Sequence, residues 1–257
     1  MPAQSWTHRY ILTGTNKWIF QPSENSRKNG LLIKEEIEGI WSPPFFYYHL
    51  AQGGHLKAIK AHLKNSYFTR FDIQNFFGSI SQSRIIRTLK KPLGYTRAKE
   101  IASISTVVDP NSAPRKLILP FGFIQSSLIA SICLDQSNLG LYLRELAKKR
   151  KVTVSVYVDD IIISTPDKAD LEAISNNFED VANQSNWTLS KTKQQKFVSC
   201  VSAFNISLCH QNLQIENQKI AEFKSTFLST QNERVKKGIL NYINSVNPSQ
   251  KSEINNA

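Results

Sequence analysis

A chain of 257 residues that is 40% hydrophobic can bury a sizeable core in one or two domains. It contains no apolar run of the roughly 18 residues that a membrane span needs, and its start has no apolar signal core. The formal net charge is +12. Between Lys57 and Lys116 there are twelve Lys or Arg residues against three acidic residues. Such an excess is either a solvated basic face or, more typically, the mark of a nucleic-acid partner.

The cysteines predict a reducing environment. Cys133, Cys200 and Cys209 are odd in number and form no C-x-x-C pair. We therefore expect free thiols, no zinc site, and a cytoplasmic protein without membrane contact.

The first third of the chain contains helices, a loop and one notable strand. In residues 1–45 we find no catalytic motif, and the polar stretch 22–30 predicts a loop. Residues 55–64 predict a helix, whose Lys57 and Lys60 either form an exposed basic face or contact phosphates. Residues 66–77 predict a strand in which Asp72 sits among aromatic residues, where an unpaired carboxylate would be costly.

The middle of the chain predicts three helices. Two lie within residues 82–105, separated at residues 92–94, and carry Arg84 and Arg87 among their basic residues. Residues 109–116 predict a loop. A single long helix is expected from about Ser126 to Lys149, and its small residues would let another backbone or a nucleotide come close.

Residues 152–164 (VTVSVYVDDIIIS) predict a tight hairpin with Asp159 and Asp160 at its tip. The pair is either a simple turn, since Asp is a common turn residue, or part of a metal site. Asp-Asp is a poor fit to the favoured two-residue turns, and two buried like charges raise a pKa unless a cation is present. We expect a helix from Asp167 to about Asn183, then strands, then amphipathic helices from about Asn217 with a frayed end after residue 246.

A sheet built from these elements would bring Asp72 beside the Asp159–Asp160 tip. Three carboxylates surrounded by basic residues match the requirements of two-metal phosphoryl transfer. In such a site one ion lowers the pKa of the attacking hydroxyl and the other neutralises the triphosphate.

Four segments resemble, in order, the motifs of reverse transcriptases. Residues 157–160 (YVDD) resemble the Y-x-D-D motif, and residues 71–77 (FDIQNFF) resemble the first aspartate motif in its bacterial form. Residues 119–127 (LPFGFIQSS) resemble L-P-Q-G-x-x-x-S-P, and residues 189–193 (LSKTK) resemble the L-N-x-x-K turn. The sequence is most similar to the bacterial "unknown group" and abortive-infection reverse transcriptases, many of which act in anti-phage defence.

The resemblance implies an α+β fold of the right-hand polymerase type, with fingers, a palm with a ferredoxin-like antiparallel sheet, and a reduced helical thumb. We expect an N-terminal and fingers region at residues 1–65 and a palm at residues 66–208 with a fingers insertion at about 82–118. Residues 209–257 would form the thumb. Because so few residues follow the palm, we expect short products, a captive RNA template, or a partner protein or second copy that completes the clamp.

The resemblance also assigns roles to individual residues. Asp72, Asp159 and Asp160 would hold two Mg²⁺, or Mn²⁺, with help from the Ile73 carbonyl. Lys193 would be either the proton donor to pyrophosphate or a structural partner of the site.

The substrates implied are dNTPs, an RNA template such as a non-coding RNA, and a DNA product. Phe77 falls at the family's steric gate, with a core role as the alternative, and Gly122 would let the backbone approach the nucleotide. Phe121 replaces the usual Gln of the motif, whose contact Gln125 would supply. The weaker candidates for triphosphate or nucleic-acid contact are Arg70, Lys57, Lys60, Arg84 and Arg87.

Two other functions remain open. The same site could synthesise DNA without a template or from a protein template. The chain could also be a catalytically dead nucleic-acid-binding subunit, although three costly carboxylates kept together argue against this.

Overall fold

The structure is a computed structural model that describes residues 5–15 and 17–255. Its helices are α1 Glu24–Ile40, α2 Gly54–Lys60, α3 Gln82–Leu93, α4 Tyr95–Ser105, α5 Ser126–Asp135, α6 Asn138–Lys148, α7 Lys168–Gln184, α8 Asn217–Ser229, α9 Glu233–Val246 and α10 Ser252–Asn255. Its strands are β1 Trp6–Ile11, β2 Trp18–Pro22, β3 Tyr67–Asp72, β4 Val107–Val108, β5 Leu117–Ile118, β6 Thr153–Tyr157, β7 Asp160–Thr165, β8 Gln195–Val198, β9 Cys200–Ala203, β10 Ile206–Cys209 and β11 Asn212–Ile215.

A four-stranded antiparallel sheet in the order β6-β7-β3-β8 forms the centre of the molecule. One face of β3 and β7, including Phe71, Ile161 and Ile163, is buried in a core shared with α5, α6 and α7. Because a one-residue slip would turn these side chains to the opposite face, burial fixes the register. That register places Asp72 directly opposite Asp160.

The predicted α+β class is confirmed, and so are the hairpin at residues 152–164 and the helix capped by Asp167. The tip of the hairpin lies one residue earlier than predicted, because Tyr157 pairs with Asp160, so Val158 and Asp159 form the turn and Asp160 begins β7. Smaller antiparallel units flank the sheet. They are the β1–β2 hairpin, the β4–β5 pair and the β9-β10-β11 sheet, on which α8 and α9 pack through a second apolar core. The predicted boundary between palm and thumb, after residue 208, falls inside β10.

The predicted long helix from Ser126 to Lys149 is wrong, because the chain breaks at Gln136 and Ser137. Ser137 caps α6 by accepting a hydrogen bond from the Gly140 amide at 3.3 Å. A side chain at Gly140 would lie 2.2 Å from the Leu134 carbonyl oxygen. Glycine therefore allows α6 to begin close against the end of α5, which apolar periodicity alone does not reveal.

Three other local predictions also need correction. Residues 22–30 are mostly helical, since Ser23 caps α1 by accepting from the Ser26 amide. The strand predicted over residues 66–77 ends at Asp72, because the chain turns at Asn75, which has a positive φ. The predicted fraying after residue 246 is wrong as far as residue 255, because the Gln250 side chain exchanges two hydrogen bonds with the backbone of Ile215; residues 256 and 257 lie outside the described part of the chain.

The prediction of free thiols is wrong for two of the three cysteines. Cys200 and Cys209 form a disulfide. They occupy directly opposed positions of the β9–β10 hairpin, and this pairing depends on a register that spacing in the sequence does not give. Cys133 is free and buried, as expected.

Within residues 5–15 and 17–255, no helix has both the length and the apolar composition to cross a membrane.

Candidate active site

Three carboxylates converge at the end of the central sheet. Asp72 is the last residue of β3, Asp160 is the first of β7, and Asp159 lies in the β6–β7 turn. One oxygen from each lies within 4.8 Å of the others. The Ile73 amide donates to the Asp159 carbonyl at 3.0 Å, which ties the end of β3 to the hairpin tip.

The electrostatics of this triad suit a divalent cation. Burial raises the pKa of Asp159, and the neighbouring charges of Asp160 and Asp72 raise it further. Burial also raises the pKa of Asp160, although the Arg70 guanidinium opposes the rise. Clustered carboxylate oxygens with unfavourable mutual charge are the donor set that Mg²⁺ and Mn²⁺ prefer, so the residues fit the expected cofactor.

Two basic side chains form ion pairs with two of the carboxylates. Lys193 Nζ donates to Asp72 Oδ2 at 2.7 Å, and this hydrogen bond is the main cause of a raised pKa for Lys193. Arg70 Nε donates to Asp160 Oδ1 at 2.7 Å, while its Nη1 donates to the Ser202 carbonyl at 2.8 Å. Arg70 was predicted to contact the nucleotide, but the structure directs its donors to Asp160 and to β9.

Phe77 and Phe121 form an aromatic pair beside the triad strand. Their ring centroids are 4.4 Å apart, and Phe77 is 7% exposed. Phe121 lines a cavity of about 400 Å³ together with Lys17, Asn75 and Pro120. The Phe121 ring therefore faces this cavity, and the buried Phe77 ring packs against it.

Two residues of the 119–127 motif have structural explanations that differ from the predictions. Gly122 has φ +103°, and a side chain there would lie 2.3 Å from the Phe20 carbonyl oxygen, so glycine permits the close approach of β2. Gln125 is fully buried and donates to Ser105 Oγ at 3.1 Å. The Gln125 side chain is thus enclosed between α1 and α4, and its contact with a nucleotide stays a prediction.

The predicted nucleic-acid contacts lie apart from the triad. Lys57 is exposed, whereas Lys60 donates to the Ser245 carbonyl near the end of α9 at 2.7 Å. Arg84 stacks on Trp187 at 4.1 Å and binds the carbonyls of two residues after α7. Together with the exposed Arg87 it lines a separate cavity of about 300 Å³.

The sequence-based search missed two residues near the triad. Lys17 lies in the loop of the β1–β2 hairpin, just before β2 and 5.2 Å from the centre of the Phe121 ring, and its charge opposes the rise in the pKa of Asp159. Alternating aromatic residues around a polar turn in residues 6–22 would have indicated this hairpin. His49 accepts a hydrogen bond from the Val158 amide in the β6–β7 turn, and no local sequence pattern marks it.

The geometry defines a class of protein. An antiparallel sheet that presents three close carboxylates at a hairpin tip is the arrangement by which polymerase palms hold divalent cations for phosphoryl transfer. Residues 17–237 match the family described as reverse transcriptase (RNA-dependent DNA polymerase). The chain therefore belongs to the reverse transcriptase family, a family of nucleotidyltransferases.

Solved structures agree on the fold. The chain is similar to the foamy viral protease-reverse transcriptase in complex with ds DNA, with a TM-score of 0.50 and 16% identity over 90% of this chain and 34% of that one. It is also similar to telomerase from Candida albicans in complex with a fragment of telomeric RNA, with a TM-score of 0.56 and 11% identity over 89% of this chain and 47% of that one. The chain thus spans between a third and a half of the length of these proteins, and at these identities the likeness shows the fold alone.

Proposed function

We propose that this chain is an RNA-directed DNA polymerase that adds dNTPs to a primer 3′ end by two-metal phosphoryl transfer. The observation that carries the proposal is the triad of Asp72, Asp159 and Asp160, whose oxygens lie within 4.8 Å of one another. When bound, two Mg²⁺ or Mn²⁺ ions would supply the positive charge that acidifies the attacking hydroxyl and stabilises the leaving pyrophosphate. The Ile73 carbonyl, next to the triad, is proposed as a further oxygen ligand.

The chain's own residues would orient the substrates and move one proton. Lys193 carries a proton on Nζ, next to Asp72, and is proposed to release it to the leaving pyrophosphate. Lys17 is proposed to bind the triphosphate, because it lines the same cavity as Phe121. The Phe77–Phe121 pair would exclude a ribose 2′-hydroxyl and so select deoxynucleotides.

The domain assignment is part of this proposal. Residues 66–208 would act as the palm with a fingers insertion at about 82–118, residues 1–65 as fingers, and residues 209–257 as a small thumb. In this scheme Lys57 and Arg87, which are exposed, remain candidates for phosphate contact. A partner protein or a second copy of the chain would help to hold the duplex product.

The biological role that we propose is anti-phage defence, with a non-coding RNA as template. The support is the resemblance of residues 119–127 and of the G-G-H segment at residues 53–55 to the abortive-infection and "unknown group" enzymes. The RNA-binding and defence assignments rest on that resemblance.

Sequencing of the nucleic acid that co-purifies with the protein tests the proposed function. We expect the wild type to carry a defined RNA and complementary DNA, and the Asp159→Ala/Asp160→Ala double variant to carry RNA alone. Repetitive DNA with no matching RNA would show instead that the chain synthesises DNA without a template or from a protein template. Identical nucleic acid on both proteins, with no DNA made, would leave the chain as a binding subunit.

A further inference from the structure

A directed chain of hydrogen bonds links the catalytic turn to helix α5. The Val158 amide donates to His49 Nδ1 at 3.0 Å. His49 Nε2 lies 2.7 Å from Ser131 Oγ, and this hydroxyl donates to the Ser127 carbonyl at 2.8 Å. Because Nδ1 accepts, the ring proton is assigned to Nε2, which donates to Ser131. Each atom in this series of hydrogen bonds is then assigned as a donor or an acceptor.

The position of His49 follows from how the preceding segment pairs with β6. Tyr47 bridges Val156 in the parallel sense, and the Val156 amide donates to the Phe46 carbonyl at 2.8 Å. The next amide on the same side of β6 belongs to Val158. The segment has by then turned into the short 3-10 helix Tyr48–Leu50, so no further carbonyl continues the ladder. The His49 ring supplies the missing acceptor.

The amide held in this way belongs to a strained residue. Val158 has φ +60°, which a β-branched residue rarely adopts. Such a conformation is strained and persists only where surrounding contacts over-determine it. Val158 immediately precedes Asp159, so any relaxation of its backbone would move that carboxylate.

We propose that His49 is a positioning residue, which fixes the backbone of the Asp159 turn and ties it to α5 through Ser131. The inference rests on the proposed function only in taking Asp159 as a ligand of a divalent cation. Neutral imidazole is required for it, and burial keeps the ring in this form by lowering the pKa of His49 to about 4, against the opposing effect of a hydrogen bond to the Val156 backbone. Neither the triad residues nor the matched family motifs assign this role to His49.

The chain offers a matched control in His62. This second histidine is fully buried, and its ring nitrogens contact Ser164 Oγ at 2.7 Å and Ser155 Oγ at 2.8 Å. Both serines lie on β7 and β6, the strands of the catalytic hairpin, but away from its turn. Removal of the buried His62 ring leaves an internal cavity and two unpaired hydroxyl groups. Removal of the partly buried His49 ring leaves the Ser131 hydroxyl without this partner and frees the Val158 amide.

The test compares Mn²⁺ binding and thermal stability in the full chain without nucleic acid. Mn²⁺ affinity is measured by electron paramagnetic resonance for His49→Ala, His49→Asn, His49→Gln and His62→Ala, and for Ser131→Ala as a variant with little effect on packing. We expect His49→Ala to weaken Mn²⁺ binding about 10-fold, the lower end of the range for residues that support metal ligands. His62→Ala should lower the melting temperature at least as much as His49→Ala, because His62 is fully buried, with less than about a 2-fold change in Mn²⁺ affinity.

The conservative variants distinguish positioning from packing. Asn Oδ1 can occupy the place of Nδ1, so His49→Asn should restore Mn²⁺ affinity, whereas Gln presents only the Nε2 position and should behave like Ala. Ser131→Ala should give an intermediate loss. Equal losses for His49→Ala and His62→Ala, or equal rescue by Gln and Asn, would overturn the inference.

Primer extension separates this inference from the proposed function. If the wild type extends primers and His49→Ala binds Mn²⁺ normally, only the positioning role is wrong. If the wild type never extends a primer but His49→Ala still weakens Mn²⁺ binding selectively, the positioning role stands and the polymerase function is wrong.

Discussion

Replacement of Asp159 by Asn should stabilise the metal-free protein. Asp159 is the member of the triad without an ion pair among the described residues, whereas Lys193 and Arg70 pair with the other two. Two unit charges about 5 Å apart repel by about 3 kcal/mol at an effective dielectric constant of 20. The cations on Asp72 and Asp160 offset most of this repulsion, so we expect a net gain of about 1–2 kcal/mol for Asp159→Asn.

Thermal melts in EDTA at pH 8 measure this gain. For a chain of this size the gain corresponds to a rise in melting temperature of about 3–6 °C. Asp180→Asn is the control, because Asp180 is exposed on α7 and the same substitution there should leave the melting temperature unchanged. Mg²⁺ should then stabilise the wild type more than the Asp159→Asn variant, since it binds the wild-type site more tightly.

The pH dependence gives the same prediction a second check. The folded-state pKa of Asp159 is raised above its unfolded value, so the folded protein binds more protons as the pH falls through the folded pKa. Wild-type stability should therefore rise toward that of Asp159→Asn as the pH is lowered from 8 to about 4 in EDTA. A variant that is no more stable than the wild type in EDTA at pH 8, or that gains equally from Mg²⁺, would refute this account of the site's electrostatics.

Three further predictions concern the surroundings of the triad. Lys193→Met should lower the primer-extension rate at least ~100-fold through loss of the proton donor, and Lys191→Met serves as the control in the same turn. Gly122→Ala should lower the melting temperature by several degrees, because a side chain there would collide with the backbone of β2, whereas Gly39→Ala, in open space on α1, should not. Phe121→Ala should increase ribonucleotide incorporation relative to deoxynucleotide incorporation, as measured by competitive extension, and an unchanged ratio would contradict the proposed gate.

The triad was predictable because its signals are local. Alternating apolar residues in 152–164 indicate the strands, and the doubled aspartate indicates the turn to within one residue. Asp72 ends an apolar strand, and the sequence offers only a few other strands that could pair with it. Once strand pairing is assumed, burial of one face sets the register, and the register places Asp72 opposite Asp160.

The supporting contacts were not predictable because they depend on packing between distant segments. Gln125 follows a recognisable motif, yet its side chain is enclosed by α1 and α4, which no neighbouring residue indicates. Arg70 lies two residues before Asp72 and so faces the same side of the sheet, but its pairing with Asp160 requires the β3–β7 register. His49 acts where a parallel bridge stops, a feature that exists only after folding.

These contacts hold each carboxylate by a different means. Lys193, 121 residues along the chain, takes one oxygen of Asp72, and Arg70 takes one oxygen of Asp160. Each of these carboxylates therefore keeps a second oxygen that is not committed to its cation. Asp159 is fixed through its backbone instead, by the turn whose Val158 amide donates to His49. Because the ligands are held before a cation arrives, little reorganisation should accompany metal binding, and substitutions of the holding residues should weaken metal affinity before they disturb the fold.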